Sequence, residues 1–254
     1  MGEYRPRTFS IPRVLLVEPA QESYLCLSEA VRGRAIELIR DQSRSLVERL
    51  LECIAEYHGY DPAPLVRIGN WSHDTHDSHS SWSDYLLAIA DEAGDRRTGG
   101  WRANLNKLPT AALAFDRGME ILSLFAEKWP NRRALIHADL LHGNVLFDYR
   151  TGSLGIIDWG SSVYGDPTYE LASISYWAYE LYLGGNVDFG RRLREAVEVV
   201  QRAGSVTMRN FVSYTLHVGL QQLRFNASRG RTNAMRHHAR RVSRLSMQAS
   251  RLSH

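Results

Sequence analysis

Lysine is almost absent from this chain: of its 31 Lys and Arg residues, only Lys107 and Lys128 are lysines. Cysteine is also rare, so no disulfide framework is implied, and the apolar neighbours of Cys26 and Cys53 predict two buried thiols. No apolar run approaches the roughly 20 residues that a membrane span requires. The N-terminus lacks the apolar core of a signal peptide. We therefore expect a cytoplasmic protein with no membrane partner.

Acidic residues are missing from the C-terminal part of the chain, where none follows Glu198. The arginine-rich segment 229–251 has two interpretations: a nucleic-acid surface, or the solvated face of a terminal helix. No aromatic residue lies among these arginines to stack on a base, which favours the helix. We therefore expect no nucleic-acid partner. The buried stripe of that helix is predicted to consist of Met235, Ala239, Val242 and Leu245.

Apolar periodicity predicts a small β segment followed by a mostly helical body. Two strands are predicted at 13–19 and 23–31, and the polar stretch 59–80 is predicted to be a loop. Asp166 and Pro167 are typical of a helix start. The predicted helices cover 35–57, 82–93, a segment from Pro109, a segment from Pro167, 187–202, 206–228 and 232–251.

The most informative stretch is ALIHADLLHGNVLFDYRTGSLGIIDWG, residues 134–160. It predicts three short strands, ALIH, NVLFD and LGIID, separated by a loop and a turn. Asp139 and Asn144 lie five residues apart on and after the loop, and Asp158 ends the third strand. A hairpin formed by the last two strands would place Asp158 beside Asn144.

Those three residues suit phosphoryl transfer. The donor phosphates need Mg²⁺, which prefers carboxylate and other hard oxygen ligands, and a further group must receive the proton of the acceptor hydroxyl. For either aspartate alone, a turn cap or a strand end is the better explanation. The joint pattern H-x-D-x-x-x-x-N followed by I-D-W is far more specific and predicts a phosphotransferase site.

The segments HADLLHGNVLFD, GIIDWG and YGDPTYELA resemble the aminoglycoside phosphotransferase and choline-kinase-like superfamily. The segments SSWSDYLLAIAD and HVGLQQLRFNASRG are similar to the hygromycin B phosphotransferase branch. The resemblance implies an α+β protein-kinase-like fold. It predicts a mostly helical C-terminal lobe with an inserted β-hairpin, and a truncated two-strand remnant of the N-terminal lobe.

The resemblance also implies roles for individual residues. Asp139 would be the catalytic base, and His137 would brace its loop. ATP would be the phosphate donor, with Mg²⁺ held by Asn144 and Asp158. The residues expected to contact adenine are Ser28, Ala30, Leu146 and Ile157.

The sequence departs from the family pattern at three places. Ala138 stands where glycine is usual, and a histidine often found two residues after the aspartate is shifted by one, to His142. The segment 160–162 lacks the acid that many members carry after I-D-W. The identity of the acceptor is therefore left open by the motif.

The resemblance divides the chain into residues 1–33, a remnant of the nucleotide-binding lobe and hinge, and residues 34–254, the catalytic and acceptor-binding lobe. No Gly-rich phosphate loop occurs, and no lysine precedes Lys107. Three explanations remain open: a reading frame that starts too late, a decayed copy, or a binding module that reuses the helical lobe. The intact motif favours the first two.

The expected function is phosphorylation of an aminoglycoside or aminocyclitol hydroxyl by Mg·ATP, conferring antibiotic resistance, in a monomer or weak dimer. The alternatives are a kinase for another small alcohol, choline-like or sugar-like, and an inactive pseudo-kinase module. A cationic acceptor would meet acidic side chains. The candidates are Asp74, Asp77, Asp84 and Glu180.

Three histidines spaced by three, His73, His76 and His79, allow a zinc site or a solvated polar loop. No cysteine is near them, and the surrounding composition is polar, which favours the loop.

Overall fold

A computed structural model of the protein describes residues 5–20, 23–39, 43–60, 68–70, 78–92, 98–130, 132–183, 185, 187–202 and 207–252. Helices dominate these residues, and the strands are short. The predicted mostly helical α+β architecture is confirmed.

Eight α-helices lie within the described residues. They are α1 Ser43–His58, α2 Trp82–Leu87, α3 Trp101–Asn106, α4 Pro109–Ser123, α5 Thr168–Leu183, α6 Val187–Arg202, α7 Met208–Ser228 and α8 Thr232–Ser250. The last three match their predicted ranges to within two residues. The short helix α3 was not predicted, because it spans less than two turns after a left-handed Gly100 (φ 71°).

The described strands form two four-stranded sheets and one isolated hairpin. They are β1 Phe9–Ser10, β2 Val14–Ala20, β3 Ser23–Ser28, β4 Arg34–Ala35, β5 Ile68–Asn70, β6 Ser78–His79, β7 Ala134–Ile136, β8 Val145–Phe147, β9 Leu154–Ile156 and β10 Val163–Gly165. The strand orders are β1-β9-β8-β4 and β6-β5-β10-β7, and β2 pairs with β3. The segment 59–80, predicted to be a loop throughout, therefore contributes two short strands where it is described.

The β2–β3 hairpin has the predicted strands but exposed apolar side chains. Val17 is 55% exposed and Leu25 58%, because no third strand pairs with the hairpin among the described residues. The prediction that both cysteines are buried is wrong for Cys26, which is exposed on this hairpin. Cys53 is buried in α1, and burial raises the pKa of its thiol to about 11.

The hairpin formed by β8 and β9 carries the motif of residues 134–160. Val145 pairs with Ile156 and Phe147 with Leu154, and all four side chains are buried. The chain from β3 to β4 crosses this hairpin. A Cβ atom at Gly155 would lie 2.2 Å from Cγ1 of Val31, so only glycine allows this close approach.

The helical core centres on α5, α7 and α8. The predicted stripe of α8 is confirmed: Met235, Ala239 and Val242 are buried, and Leu245 is partly buried against the core. This supports the terminal-helix interpretation of the arginine-rich segment. None of the described helices combines the length and the apolar character that a bilayer crossing would demand.

The start of α5 is held by its predicted cap. One carboxylate oxygen of Asp166 accepts from the Thr168 backbone N–H at 3.0 Å, and the other accepts from the Tyr214 hydroxyl at 2.9 Å. Asp166 is fully buried, so the cap also ties α5 to α7. The hydrogen bond between Tyr214 and Asp166 orients α5, and the first turns of α5 support the candidate site.

Candidate functional site

The loop between β7 and β8 carries an unusual backbone. Among the described non-glycine residues, a positive φ occurs only at Ala138 (65°), His142 (73°) and Asp158 (58°). All three lie in the motif segment 134–160, and Asp158 is one of the predicted site residues. Left-handed conformations at residues other than glycine cost free energy and are concentrated at functional sites. The left-handed φ at Ala138 also explains why glycine would suit this position.

Asp139 is anchored through His137. The Asp139 backbone N–H donates to Nδ1 of His137 at 3.3 Å, and Nε2 of His137 donates to the Ile157 carbonyl at 2.9 Å. A carbonyl oxygen only accepts, so Nε2 carries the proton in this arrangement. Burial lowers the pKa of His137, which keeps the ring neutral. His137 therefore links the Asp139 loop to the strand that precedes Asp158.

Asn144 lies between the two aspartates. Its Nδ2 donates to the Asp139 carbonyl at 2.7 Å, and its own carbonyl accepts from the Ile157 N–H at 2.9 Å. The amide nitrogen is thus used within the loop, which leaves Oδ1 as the atom suited to a hard cation. Asp139 and Asp158 both favour the charged form of His137 electrostatically. The hairpin therefore gathers the three predicted residues around one histidine.

Two buried carboxylates that the sequence analysis missed also hold this loop. Glu170, in α5, accepts from the backbone N–H groups of His137 at 2.6 Å and Ala138 at 3.2 Å, and from the Tyr57 hydroxyl at 2.8 Å. Glu37 accepts from the Gly143 N–H at 2.9 Å. The buried position of Glu170 raises its pKa to about 7. The only sequence signal for Glu170 was its place in the segment YGDPTYELA.

His142 contacts the side chain of Asp139. Nδ1 of His142 lies 2.9 Å from Oδ1 of Asp139, and the imidazole packs edge-to-face on Trp177 with 4.1 Å between ring centroids. In the sequence His142 stands out only as a shifted histidine, and no role was predicted for it. Its contact was not predictable from the motif because it depends on a left-handed residue and on α5.

The residues expected near adenine lie on two elements. Ser28 ends β3, and Ala30 follows it in the exposed linker. Leu146, in β8, and Ile157, after β9, are half-buried. Leu146 pairs with Ala35 in β4, so the linker and the hairpin meet along one edge. Adenine binding at this edge stays a prediction.

The predicted acceptor carboxylates differ in their surroundings. Asp74 and Asp77 lie outside the described residues, as do His73 and His76. Asp84 is exposed in the first turn of α2, where its backbone N–H donates to the Ser81 hydroxyl, and a hydrogen bond from the Ser80 hydroxyl lowers the pKa of its carboxyl. His79, in β6, packs edge-to-face on Tyr85.

Glu180 lies near the end of α5, one turn after Trp177. Its Oε1 pairs with Arg241 at 2.5 Å, and its Oε2 contacts Nε2 of His237 at 2.8 Å. Donor atoms of Glu180, His237 and His238 come within 4.8 Å of one another, a spacing that suits a metal ion. The guanidinium of Arg241 already neutralises the carboxylate, which disfavours a cation there.

A cavity of about 660 Å³ lies behind α5, apart from this site. Ser175 and Tyr179 line it, whereas Ser173 donates to the Ala138 carbonyl at 3.4 Å and Trp177 contacts His142. Residues two apart on a helix point in nearly opposite directions. The cavity therefore faces away from the Asp139 loop.

The helical body, the inserted hairpin and the carboxylate-bearing loop together match a protein-kinase-like fold. The phosphotransferase enzyme family (APH) matches residues 2–199, and the chain belongs to this family. A curated relative, hygromycin-B 4-O-kinase from Escherichia coli, is 28% identical over 218 residues, which make up 84% of this chain. The chain spans only 59% of that relative's length.

Solved structures share the fold. A thermostable mutant of aminoglycoside phosphotransferase APH(4)-Ia, in ternary complex with ADP and hygromycin B, superposes with a TM-score of 0.78 at 23% identity. The match covers 96% of this chain and 78% of that one. A microcompartment-associated aminopropanol kinase has a TM-score of 0.60 at 16% identity, covering 96% and 77% of the two chains. At these identities the likeness establishes the fold alone.

Proposed function

We propose that this protein transfers the γ-phosphoryl group of Mg·ATP to a hydroxyl group of an aminoglycoside or aminocyclitol, and so confers antibiotic resistance. The observation that carries the proposal is the gathering of Asp139, Asn144 and Asp158 around His137. Family membership and the Escherichia coli hygromycin-B 4-O-kinase support it. The structural neighbour that was solved with ADP and hygromycin B supports the same donor and acceptor classes.

In this proposal Asp139 receives or orients the hydroxyl proton of the acceptor. Its backbone is held on both sides, by His137 at the N–H and by Asn144 at the carbonyl. A side chain that is already positioned avoids the entropic cost of ordering it during the reaction. Among the described residues no hydrogen bond reaches Oδ2 of Asp139, so this oxygen can face the acceptor.

Asn144 and Asp158 would hold Mg²⁺. The donor set fits, because the amide Oδ1 of Asn144 and the carboxylate of Asp158 are hard oxygen ligands. Mg²⁺ held by these residues would supply positive charge that offsets the negative charge of the donor phosphates during transfer. The backbone hydrogen bond from Ile157 to Asn144, at 2.9 Å, keeps Asn144 before β8 close to Asp158 after β9.

The nucleotide would lie against the linker, with adenine near Ser28 and Ala30 and above Leu146 and Ile157. Support comes from the close contact of Val31 with Gly155 and from the pairing of β4 with β8, which bring the linker onto the hairpin. Half-buried apolar side chains at that edge offer a surface for a planar base.

Glu180 would recognise an ammonium group of the acceptor. It lies three residues after Trp177 and therefore on the same side of α5 as the contact with His142. In the structure its carboxylate is paired with Arg241 and His237. A cationic acceptor would have to displace part of this pairing.

That neutralised carboxylate supports a second candidate, a kinase for a small amino alcohol or a sugar-like alcohol. Pairing of the acid with Arg241 weakens its attraction for a polycation, whereas an acceptor with a single charge or none loses little. The fold likeness to the aminopropanol kinase is compatible with this alternative. The two candidates share the roles of Asp139, Asn144 and Asp158.

The test is transfer of radiolabelled γ-phosphate from Mg·ATP to a panel containing hygromycin B, other aminoglycosides, aminopropanol and choline. Wild-type protein runs beside Asp139→Asn, which is nearly the same size but cannot take up a proton. We expect transfer to an aminoglycoside, reduced about 10²- to 10⁴-fold in the variant. Transfer to aminopropanol or choline alone would favour the second candidate. Equal transfer by both proteins would refute the role of Asp139, and transfer by neither would refute the proposed function for this chain.

A further inference from the structure

His142 is held in place by two contacts of its ring. Nδ1 lies 2.9 Å from Oδ1 of Asp139, and the ring plane is at 89° to that of Trp177. The side chain is nevertheless 45% exposed, so it does not belong to the packed core. A ring that is pinned while still reaching solvent is typical of a side chain that serves a site.

The backbone of His142 adopts a left-handed φ of 73°. A residue with a Cβ atom adopts this conformation only at a cost in free energy. The turn it makes brings the imidazole back toward a carboxylate three residues earlier. His137 and Asn144 hold the backbone of Asp139, and the left-handed turn holds the backbone of His142. The two partners of the hydrogen bond are therefore positioned independently of each other.

The hydrogen bond with His142 determines which carboxylate oxygen of Asp139 already has a partner and which is left for the substrate. An ionised carboxylate only accepts hydrogen bonds, so a neutral His142 must carry its proton on Nδ1 to donate to Oδ1. This is the opposite tautomer from that of His137. With Oδ1 engaged, Oδ2 is the oxygen directed to a reacting hydroxyl.

We propose that His142 is a positioning residue, whose Nδ1–H holds Oδ1 of Asp139 and so fixes the carboxylate for transfer through Oδ2. The statement about transfer rests on the proposed function. The hydrogen bond itself does not, and it can be tested separately.

The first experiment compares two substitutions at this left-handed position. Asn tolerates a positive φ, and its side-chain amide can donate where Nδ1 does, whereas Gly relieves the backbone but removes the donor. In the transfer assay we expect His142→Gly to lower kcat by about 10- to 100-fold with little change in the KM for ATP, as for a small displacement of a catalytic group. We expect His142→Asn to recover most of the loss. Wild-type kcat in His142→Gly would overturn the proposal.

The second experiment needs no activity. Protein labelled with ¹⁵N-histidine is studied by long-range ¹H–¹⁵N NMR at pH 8.5, and His142 is assigned by the signal missing in His142→Asn. We expect the Nδ1–H tautomer in the wild type and the Nε2–H tautomer in Asp139→Ala. An Nε2–H tautomer in the wild type would overturn the proposal. If the wild type transfers no phosphate but shows Nδ1–H, the proposed function fails while the His142–Asp139 bond stands.

Discussion

The buried carboxylate of Glu170 accepts a hydrogen bond of 2.6 Å from the backbone N–H of His137. The same carboxylate accepts from the backbone N–H of Ala138 and from the Tyr57 hydroxyl, so α5 holds the start of the Asp139 loop at two points and ties it to α1. A loop with left-handed residues at Ala138 and His142 needs such external support. Glu170 is therefore central to both stability and the geometry of the site.

Replacing Glu170 by Gln should destabilise the protein by about 1–3 kcal/mol, because the new amide NH₂ group faces donors and leaves one of them unsatisfied. Urea unfolding followed by circular dichroism measures the change. The control is Glu48→Gln, which removes an exposed pair with Arg44 and should cost less than about 0.5 kcal/mol. Equal effects of the two substitutions would contradict the bracing role of Glu170.

Acidification should lower the free energy of unfolding. Burial lowers the pKa of His58 and His238 to about 4 and of His217 to about 3, so the unfolded chain binds more protons as pH falls below about 6.5. Glu170 acts in the opposite sense: its pKa is raised to about 7, so its contribution is present below about pH 4.5 and lost as pH rises through about 7.

Each of these groups changes the free energy of unfolding by up to about 1.4 kcal/mol per pH unit. The effect of the three histidines therefore exceeds that of the single glutamate. Urea unfolding between pH 7.5 and pH 4.5 should therefore show a net loss of stability toward acid. In Glu170→Gln the acid loss should be steeper, because the opposing group is gone. A constant stability across this range would contradict the burial of the histidines.

Ala138→Gly should stabilise the protein by up to about 1 kcal/mol. The left-handed φ of 65° costs alanine about 1–2 kcal/mol, and glycine removes this cost. Part of the gain is lost, because glycine loses more conformational entropy than alanine on folding. Thermal and urea unfolding provide the measurement. Ala55→Gly, at an exposed position of α1, is the matched control and should destabilise by about 1 kcal/mol. The same sign for both substitutions would show that φ at Ala138 does not govern the effect.

Asp158→Asn should raise the Mg²⁺ concentration needed for half-maximal transfer by about 10- to 100-fold, since a charged hard ligand is lost. A Mg²⁺ titration of the transfer assay at fixed ATP measures it. Asp148→Asn is the control, because Asp148 accepts from the Arg150 N–H in the turn of the same hairpin and holds no metal in our proposal. A Mg²⁺ requirement unchanged in Asp158→Asn would exclude Asp158 as a ligand.

Arg241→Met should lower the KM for a cationic acceptor by about 3- to 10-fold, because Glu180 loses the cation that neutralises it. Steady-state kinetics with hygromycin B, or with whichever aminoglycoside proves active, tests this. Arg240→Met, on the exposed side of α8, should leave KM unchanged. The gain should vanish in Arg241→Met combined with Glu180→Gln. An unchanged KM in Arg241→Met would argue against Glu180 as an acceptor ligand.

The sequence by itself determined the parts of the site that lie close together along the chain. Two short apolar segments, Val145–Phe147 and Leu154–Ile156, are separated by turn residues and therefore predict a hairpin, and a hairpin places Asp158 beside Asn144. The last three helices could likewise be predicted, because their apolar stripes repeat at helical spacing. The sequence pattern is sufficient to predict the geometry where residues close together along the chain pair with each other.

Only the tertiary structure decided what joins distant segments. Glu170 lies 33 residues from His137, and no local pattern states that its carboxylate turns inward to meet that backbone. Cys26 shows the converse: its apolar neighbours predicted burial, yet it is exposed, because burial depends on a covering surface and not on the strand itself. His142 meets Asp139 through a left-handed turn and a ring supplied by α5. Such contacts depend on how elements pack in space, which spacing along the chain does not encode.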